Sequence, residues 1–181
     1  NDVAAGLEIA KEAAQYDMKL LLDFHYSDFW ADPALQKIPK AWEKDKNDTE
    51  KMKQNVYDFT KDTIKKFQEV GADIGMVQVG NEITNGMLDI MPDYSKGETY
   101  KDTWGNAKNA KILCGYLKAG IKAVRECTPK ALVTLHLESM GYGKCSEIMN
   151  AWERNGVDYD VFGMLALLSD STNAERPGFT A

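Results

Sequence analysis

Residues 18–24 read MKLLLDF, a short apolar run with no helical period. Before it, apolar residues recur at helical spacing from Val3 to about Tyr16, behind Asp2 as a candidate N-cap. A short apolar run that follows a helix is typical of a strand buried in a parallel sheet. This helix-then-strand unit therefore predicts an α/β fold.

The same unit recurs three more times along the chain. The predicted helices run from about Thr49 to Val70, through Leu113 to Val124, and around Ser146 to Arg154, and the predicted strands at 74–79, 131–136 and 159–163. Alternation of this kind predicts a parallel sheet with right-handed crossovers. Long loops at 25–48 and 84–105 follow strands, which places the functional face at the strand carboxyl ends. Four strands are half of a (β/α)8 TIM barrel, which needs about 250 residues in full.

Composition excludes several classes of function for this chain of 181 residues. A net charge of −6 argues against nucleic acid as a partner, because an acidic chain repels phosphates. No apolar stretch approaches the roughly 20 residues of a membrane span. Cys114, Cys127 and Cys145 are odd in number and lack CxxC spacing, so we expect buried thiols rather than a zinc site or disulfides.

Polar side chains cluster where the predicted strands end. In chain order, these are Asp23, His25, Asn81, Glu82, His136 and, just beyond the third strand, Glu138. The carboxyl ends of parallel strands meet at one edge of a sheet or one mouth of a barrel. We therefore expect these side chains to lie close together in the folded protein.

Glu82 is the centre of the functional prediction. A glycosidase needs a carboxylic acid that stays protonated near neutral pH and donates to the leaving oxygen. A glutamate at the end of an apolar strand has the position for this task. Asn81 beside it offers an uncharged donor and acceptor for a sugar hydroxyl next to the reacting carbon. The alternative interpretation is that this pair merely begins a loop.

The loop after the first strand is rich in aromatic residues and hydroxyl-binding groups. Sugars expose apolar CH faces that stack on aromatic rings, so Trp30, Trp42 and Trp104 are candidate sugar platforms. For each tryptophan alone, core packing is the better prediction. We expect at least one of the three to contact substrate.

A metal centre is a weaker interpretation of the same residues. His25 and His136 could bind a metal ion together with Asp23. However, two histidines that are not closely spaced in the sequence provide few ligands for a metal site. We therefore predict no metal and no cofactor, since no phosphate loop or dinucleotide fingerprint is present either. Cys114 and Cys127 fall on a helix away from the mouth, which argues against a catalytic thiol.

Five segments carry a resemblance to a known family. They are LLDFHYSDFWADP at 21–33, PKAW at 39–42, VQVGNEI at 77–83 with GML at 86–88, LHL at 135–137, and YDVFG at 159–163. Residues 1–163 closely resemble the endo-β-1,4-galactanases, also called arabinogalactan endo-1,4-β-galactosidases, of glycoside hydrolase family 53. The first segment is long enough to be highly specific, and the segments occur in the family's order.

The resemblance implies a (β/α)8 barrel that cleaves internal β-1,4 links in the galactan side chains of pectin with retention. It implies that Glu82 is the acid/base at the end of barrel strand four and that Asn81 binds the neighbouring hydroxyl. Asp23, His25 and His136 would line the subsite of the cleaved sugar. From the aromatic loop itself, we also predict Trp30 as a substrate-binding residue. The four strands would be barrel strands three to six, and the family implies an extracellular enzyme.

Two departures from the family pattern modify this expectation. The family's nucleophile is a glutamate at the end of strand seven, which residues 1–163 do not reach, so we expect the isolated chain to be inactive. After Gly163 the similarity stops, and we interpret residues 164–181 as an unrelated tail consistent with a frameshift. Half a barrel also leaves open sheet edges, from which we expect self-association.

Three alternative functions stay open at this point. The chain could be a non-catalytic galactan-binding remnant, which keeps the aromatic loop without hydrolysis. It could be a barrel hydrolase for another β-linked glycan such as xylan, mannan or glucan. It could also be a metal-dependent barrel hydrolase.

Overall fold

The computed structural model describes residues 2–138 and 141–165. Its helices are α1 Val3–Ala14, α2 Thr49–Glu69, α3 Tyr100–Trp104, α4 Ala107–Cys127 and α5 Tyr142–Arg154, and its strands are β1 Lys19–Phe24, β2 Asp73–Val79, β3 Leu132–Leu137 and β4 Val161–Met164. Short 3-10 helices lie at Lys40–Asp45, Ile83–Asn85 and Tyr94–Lys96. From residue 166 onward, the predicted tail lies outside the described residues.

The four strands form one parallel sheet in the order β1-β2-β3-β4. The predicted parallel α/β architecture is therefore confirmed. The two long loops differ from the prediction in one respect, because each contains short helical segments. Periodicity did not reveal these segments because they are too short to show an apolar stripe.

Capping side chains set the starts of α1, α2 and α4. Asp2, Asp48 and Asn106 each accept hydrogen bonds from backbone N–H groups of the first helical turn. These groups have no partner within the helix, so a short oxygen-bearing side chain stabilises each start. After α2, Gly71 adopts a φ of 86°, as expected of a residue that ends a helix.

The helices cover one face of the sheet. α2 and α4 pack side by side, and the strand residues facing them are buried, including Leu22, Val77 and Val133. Gly120 on α4 allows the close approach, since a Cβ there would come within 2.8 Å of Val79 on β2. Trp152 on α5 extends the core, with its ring 6.0 Å from that of Trp104.

The opposite face of the sheet carries the other half of each strand's side chains. Leu21, Met76 and Leu132 are register neighbours on this face. Leu21 is 53% exposed and Leu132 is 45% exposed, so the described residues leave this apolar strip largely uncovered. Towards the carboxyl ends, the same face carries Asp23 and Gln78, which are also register neighbours.

Across residues 2–138 and 141–165, no helix is long and apolar enough to cross a membrane.

Candidate active site

The backbone turns sharply where β2 ends. Gly80 has a φ of +90°, and a Cβ there would meet Ile83 Cγ2 at 2.7 Å, so the turn requires glycine. Its N–H donates to Phe24 O at the end of β1 (3.1 Å). The next residues, Asn81 and Glu82, are thereby placed over the carboxyl edge of the sheet. Glu82 itself is left-handed, with φ 48° and ψ 46°.

Non-glycine residues adopt this left-handed conformation at a cost that the surrounding structure must offset. Asp17, Tyr26, Leu88 and Asp89 share it. Glu82 differs from these four because its carboxyl group belongs to the predicted site, and its side chain is half-buried. The left-handed backbone sets the direction in which this side chain leaves the turn.

Asp23 and His25 form one pair at the end of β1. His25 Nε2 lies 3.2 Å from Asp23 Oδ2, and Ala31 N–H donates to His25 Nδ1 at 2.9 Å. An Nδ1 that accepts cannot carry the proton in the neutral ring. Neutral His25 is therefore the Nε2–H tautomer, with Nε2 facing the Asp23 carboxylate at 3.2 Å.

Asn81 and His136 form a second pair, between β2 and β3. His136 Nδ1 lies 2.8 Å from Asn81 Oδ1, and Asn81 Nδ2 donates to Ala31 O at 2.8 Å. Glu82 N also lies 3.3 Å from the same His136 Nδ1, which would require Nδ1 to accept. Nδ1 cannot do both, and the shorter contact prevails, so His136 Nδ1 carries the proton and donates to Asn81.

Gln78 links the two pairs, and the sequence analysis did not single it out as a functional residue. Its Nε2 donates to Asp23 Oδ1 at 2.6 Å and to Asn81 Oδ1 at 3.1 Å. Its side chain is buried although its strand neighbours Val77 and Val79 are apolar. An amide inside an apolar strand is itself a sequence signal, because a buried polar group must find partners.

Gln36 is a second buried amide at this site that sequence reasoning did not single out. It is 3% exposed, and its Nε2 donates to Asn81 O at 2.8 Å and to Asp32 O at 3.0 Å. The backbone carbonyl of Gln36 accepts a hydrogen bond from Asp89 N at 2.7 Å. Gln36 thus ties the loop after β1 to the left-handed turn at Glu82.

The three candidate tryptophans occupy different environments. Trp30 is 67% exposed, and its ring packs edge-on against His25 with centroids 5.4 Å apart. Trp42 packs with Tyr26 and Phe59 in an aromatic cluster over the core. Trp30 therefore has a free face beside the strand-end residues, whereas Trp42 is used in packing.

Trp104 is excluded as a sugar platform. It is 1% exposed, and its Nε1 donates to Thr84 O at 2.9 Å. The physical reason is that α3, which the sequence did not predict, turns this indole into the core against Trp152.

Tyr94 adds an aromatic side chain that the sequence analysis did not consider. It is 52% exposed, and its hydroxyl lies 3.5 Å from Pro33 O in the loop after β1. Desolvation, and then the charges of Glu138 and Asp32, raise the pKa of Tyr94. Glu138, the further carboxylate expected at this mouth, is held through its backbone N–H, which donates to Thr84 Oγ1 at 3.1 Å.

The structure brings Asp23, His25, Asn81, Glu82 and His136 to one edge of the sheet, as predicted, with Trp30 beside His25. Gly163 on β4 lies beside His136, since a Cβ at this position would be in van der Waals contact with the imidazole Cδ2 at 3.5 Å. In the part of the chain that the structure describes, no three His, Cys, Asp or Glu side chains form a group that could hold a metal ion.

A parallel sheet covered by helices on one face, with acids, amides and an exposed aromatic ring at its strand carboxyl ends, has the arrangement in which α/β enzymes, TIM barrels among them, place their active sites. The family model for glycosyl hydrolase family 53 matches residues 1–166. The chain belongs to this family, as the resemblance of its five segments implied.

Two curated relatives show how similar the chain is to characterised members. The endo-beta-1,4-galactanase of Bacillus subtilis (strain 168) is 44% identical over 163 residues, which are 90% of this chain and 34% of the relative. The arabinogalactan endo-beta-1,4-galactanase of Cellvibrio japonicus (strain Ueda107) is 35% identical over 167 residues, which are 90% of this chain and 41% of the relative. The chain therefore spans well under half the length of both relatives.

Solved structures agree on the fold. The GH53 catalytic domain of Ignisphaera aggregans superposes with a TM-score of 0.76 at 32% identity, over 90% of this chain and 41% of that domain. A structure from work on two fungal beta-1,4-galactanases gives a TM-score of 0.75 at 25% identity, over 90% of this chain and 46% of that one. The four strands and their helices thus match part of a family 53 TIM barrel.

Proposed function

We propose that this chain is part of an endo-acting, retaining glycoside hydrolase that cleaves β-1,4-galactan in pectic arabinogalactan outside the cell. The observation that carries the proposal is the position of Glu82 at the end of β2, directly after Asn81, whose carboxamide is oriented by hydrogen bonds. Membership of family 53 and the similarity to galactanases support galactan as the substrate.

In the proposed reaction, Glu82 is the general acid/base. Its carboxyl group protonates the glycosidic oxygen as the bond breaks, and then removes a proton from the incoming water. The left-handed conformation of Glu82 and the hydrogen bond from Gln36 to the Asn81 carbonyl fix the backbone that carries this side chain at the sheet edge. Such positioning is itself a large part of catalysis.

Substrate binding is assigned to the residues around Glu82. Asn81 has one Nδ2 hydrogen left after donating to Ala31 O, and that hydrogen meets a sugar hydroxyl. Asp23, His25 and His136 line the subsite of the cleaved sugar. Trp30 offers its exposed ring to an apolar sugar face, beside His25.

A retaining mechanism needs a second carboxylate about 5–5.5 Å from the first. We assign that nucleophile to no residue within 1–163, so the isolated chain is expected to bind galactan without cleaving it. Titration with galacto-oligosaccharides and product analysis on the same sample test this, with xylan, mannan and glucan oligosaccharides as comparison ligands. Binding of another glycan in preference to galactan contradicts the assigned substrate.

The role of Glu82 is tested in a chimera. The matching segment of the Bacillus subtilis endo-beta-1,4-galactanase, 44% identical, is replaced by residues 1–163. Glu82→Gln in the chimera is expected to lower kcat by about 10²–10⁴-fold, since it removes general acid/base catalysis. The matched control is Glu12→Gln on the exposed surface of α1, which leaves kcat unchanged. An active, folded chimera that is insensitive to Glu82→Gln refutes the assignment.

The second candidate function is a non-catalytic galactan-binding protein. The exposed ring of Trp30 favours it, because stacking on a sugar requires no catalytic carboxylate. In that case the isolated chain binds galacto-oligosaccharides, and the folded chimera binds them without releasing products.

A further inference from the structure

We propose that Gln78 is a positioning residue that orients the carboxamide of Asn81, so that Asn81 presents only an N–H to the sugar. The role of that N–H rests on the proposed function. The orientation itself does not, because it follows from hydrogen bonds within the protein.

The donor capacity of Gln78 is fully used by two acceptors. Its NH2 group has two hydrogens, and Asp23 Oδ1 at 2.6 Å and Asn81 Oδ1 at 3.1 Å accept them. The further approach of Nε2 to His136 Nδ1 is 3.5 Å, beyond a normal hydrogen bond. Gln78 thus joins the end of β1 to the turn after β2.

These bonds are part of a closed ring of polar contacts. Ala31 N–H donates to His25 Nδ1, His25 Nε2 lies 3.2 Å from Asp23 Oδ2, and Asn81 Nδ2 donates back to Ala31 O. Gln78 closes the ring by donating to both Asp23 and Asn81. Ala31 directly follows Trp30, so the ring also anchors the loop that carries this exposed indole.

These contacts leave Asn81 a single hydrogen-bonding group that is free to bind a ligand. Its Oδ1 accepts from Gln78 and from His136, and one of its Nδ2 hydrogens goes to Ala31 O. Since Oδ1 has two acceptor sites and Nδ2 two hydrogens, only one N–H remains for a ligand. A bound sugar hydroxyl must therefore accept a hydrogen bond from Asn81.

The tautomer of His136 reports this orientation without any sugar. While Asn81 Oδ1 faces the imidazole, the proton stays on Nδ1. An acceptor at position 78 would favour the reversed carboxamide, whose Nδ2 donates to Nδ1 and moves the proton to Nε2. The sequence contains only two histidines, so ¹⁵N spectra of the imidazole rings resolve this equilibrium.

The experiment records long-range ¹H–¹⁵N spectra of the full chain at a pH where both imidazoles are neutral. The unsubstituted chain is expected to show His136 as the Nδ1–H tautomer and His25 as Nε2–H. Gln78→Glu is expected to shift His136 towards Nε2–H. Gln15→Glu makes the same chemical change at an exposed position and is expected to leave both rings unchanged.

Gln78→Met is a second variant for the case in which the Gln78→Glu chain does not fold. It removes the hydrogen-bond donor at position 78 without adding a charge. In this variant, His136 is expected to move partly towards Nε2–H. An Nε2–H tautomer of His136 in the unsubstituted chain overturns the proposal. So does an unchanged His136 spectrum in a folded Gln78 variant. A galacto-oligosaccharide titration on the unsubstituted chain tests the proposed function separately, so the two failures are distinguishable.

Discussion

At the scale of single residues, Trp30 and Trp104 have opposite environments and give opposite predictions. Trp104→Ala empties a buried site and is expected to lower the free energy of unfolding by about 3–5 kcal/mol. Trp30→Ala removes a 67% exposed ring and is expected to weaken galacto-oligosaccharide binding with little effect on stability. Urea unfolding and calorimetric titration measure the two effects. Unchanged affinity in Trp30→Ala argues against the sugar platform.

Gln36 gives a second prediction at this scale. Gln36→Met keeps the approximate volume but removes the donor to the Asn81 carbonyl and one of two donors to the Asp32 carbonyl, which also accepts from Leu35 N. Unpaired buried polar groups cost about 1–3 kcal/mol each, so the urea midpoint is expected to fall clearly. Gln15→Met, at an exposed position, serves as the control. Equal midpoints for the two variants would show that Gln36 does not stabilise the turn at Glu82.

At the scale of elements, Asp160 ties the start of β4 to β3 and α4. Its Oδ2 accepts from Arg125 Nη1 at 2.8 Å and from Val133 N at 2.7 Å. The Arg125 hydrogen bond, and then that of Val133, lower the pKa of Asp160. A lowered pKa in the folded state stabilises the fold above the unfolded-state pKa, and the contribution is lost as pH falls through the folded-state pKa.

Asp160→Asn is therefore expected to destabilise the chain at neutral pH, and the difference from the unsubstituted chain should shrink below a pH of about 4. Urea unfolding across this pH range measures it. Asp158→Asn is the control, since Asp158 is 82% exposed and its Oδ2 lies 3.6 Å from Arg125 Nη2. A deficit for Asp160→Asn that stays constant with pH would contradict the role of the carboxylate charge.

At the scale of the whole molecule, the described sheet has two open edges and one apolar strip. β1 and β4 each pair on one side within the described residues, and Leu21 and Leu132 are exposed on the uncovered face. Because unpaired strand edges and apolar surface favour pairing with another chain, we propose that the polypeptide self-associates.

Light scattering over a range of concentrations tests this proposal. The average mass is expected to rise with concentration, and to rise less in a Leu21→Lys, Leu132→Lys double variant, whose charges oppose burial of the strip. Tyr16→Lys, at an exposed position, serves as the control. A lysine at Val77 would not serve, because Val77 lies in the core. A monodisperse monomer at all concentrations would refute self-association.

Periodicity alone determined the order of helices and strands and the edge of the sheet where polar side chains gather. Apolar spacing reports which face of an element is buried, and the carboxyl ends of parallel strands share one edge. The positions of Asp23, His25, Asn81, Glu82 and His136 therefore follow from the sequence. Family 53 could be predicted from the segments at 21–33 and 77–83.

Tertiary structure alone decided which tryptophan is exposed, which imidazole nitrogens carry protons, and that Gln36 and Gln78 connect the site. Gln78 and Asp23 are 55 residues apart in the chain, and Gln36 and Asn81 are 45 apart. Local periodicity carries no information about such pairs. A buried amide becomes a positioning group only when the folded chain brings specific acceptors within hydrogen-bond distance, because hydrogen bonds act over about 3 Å.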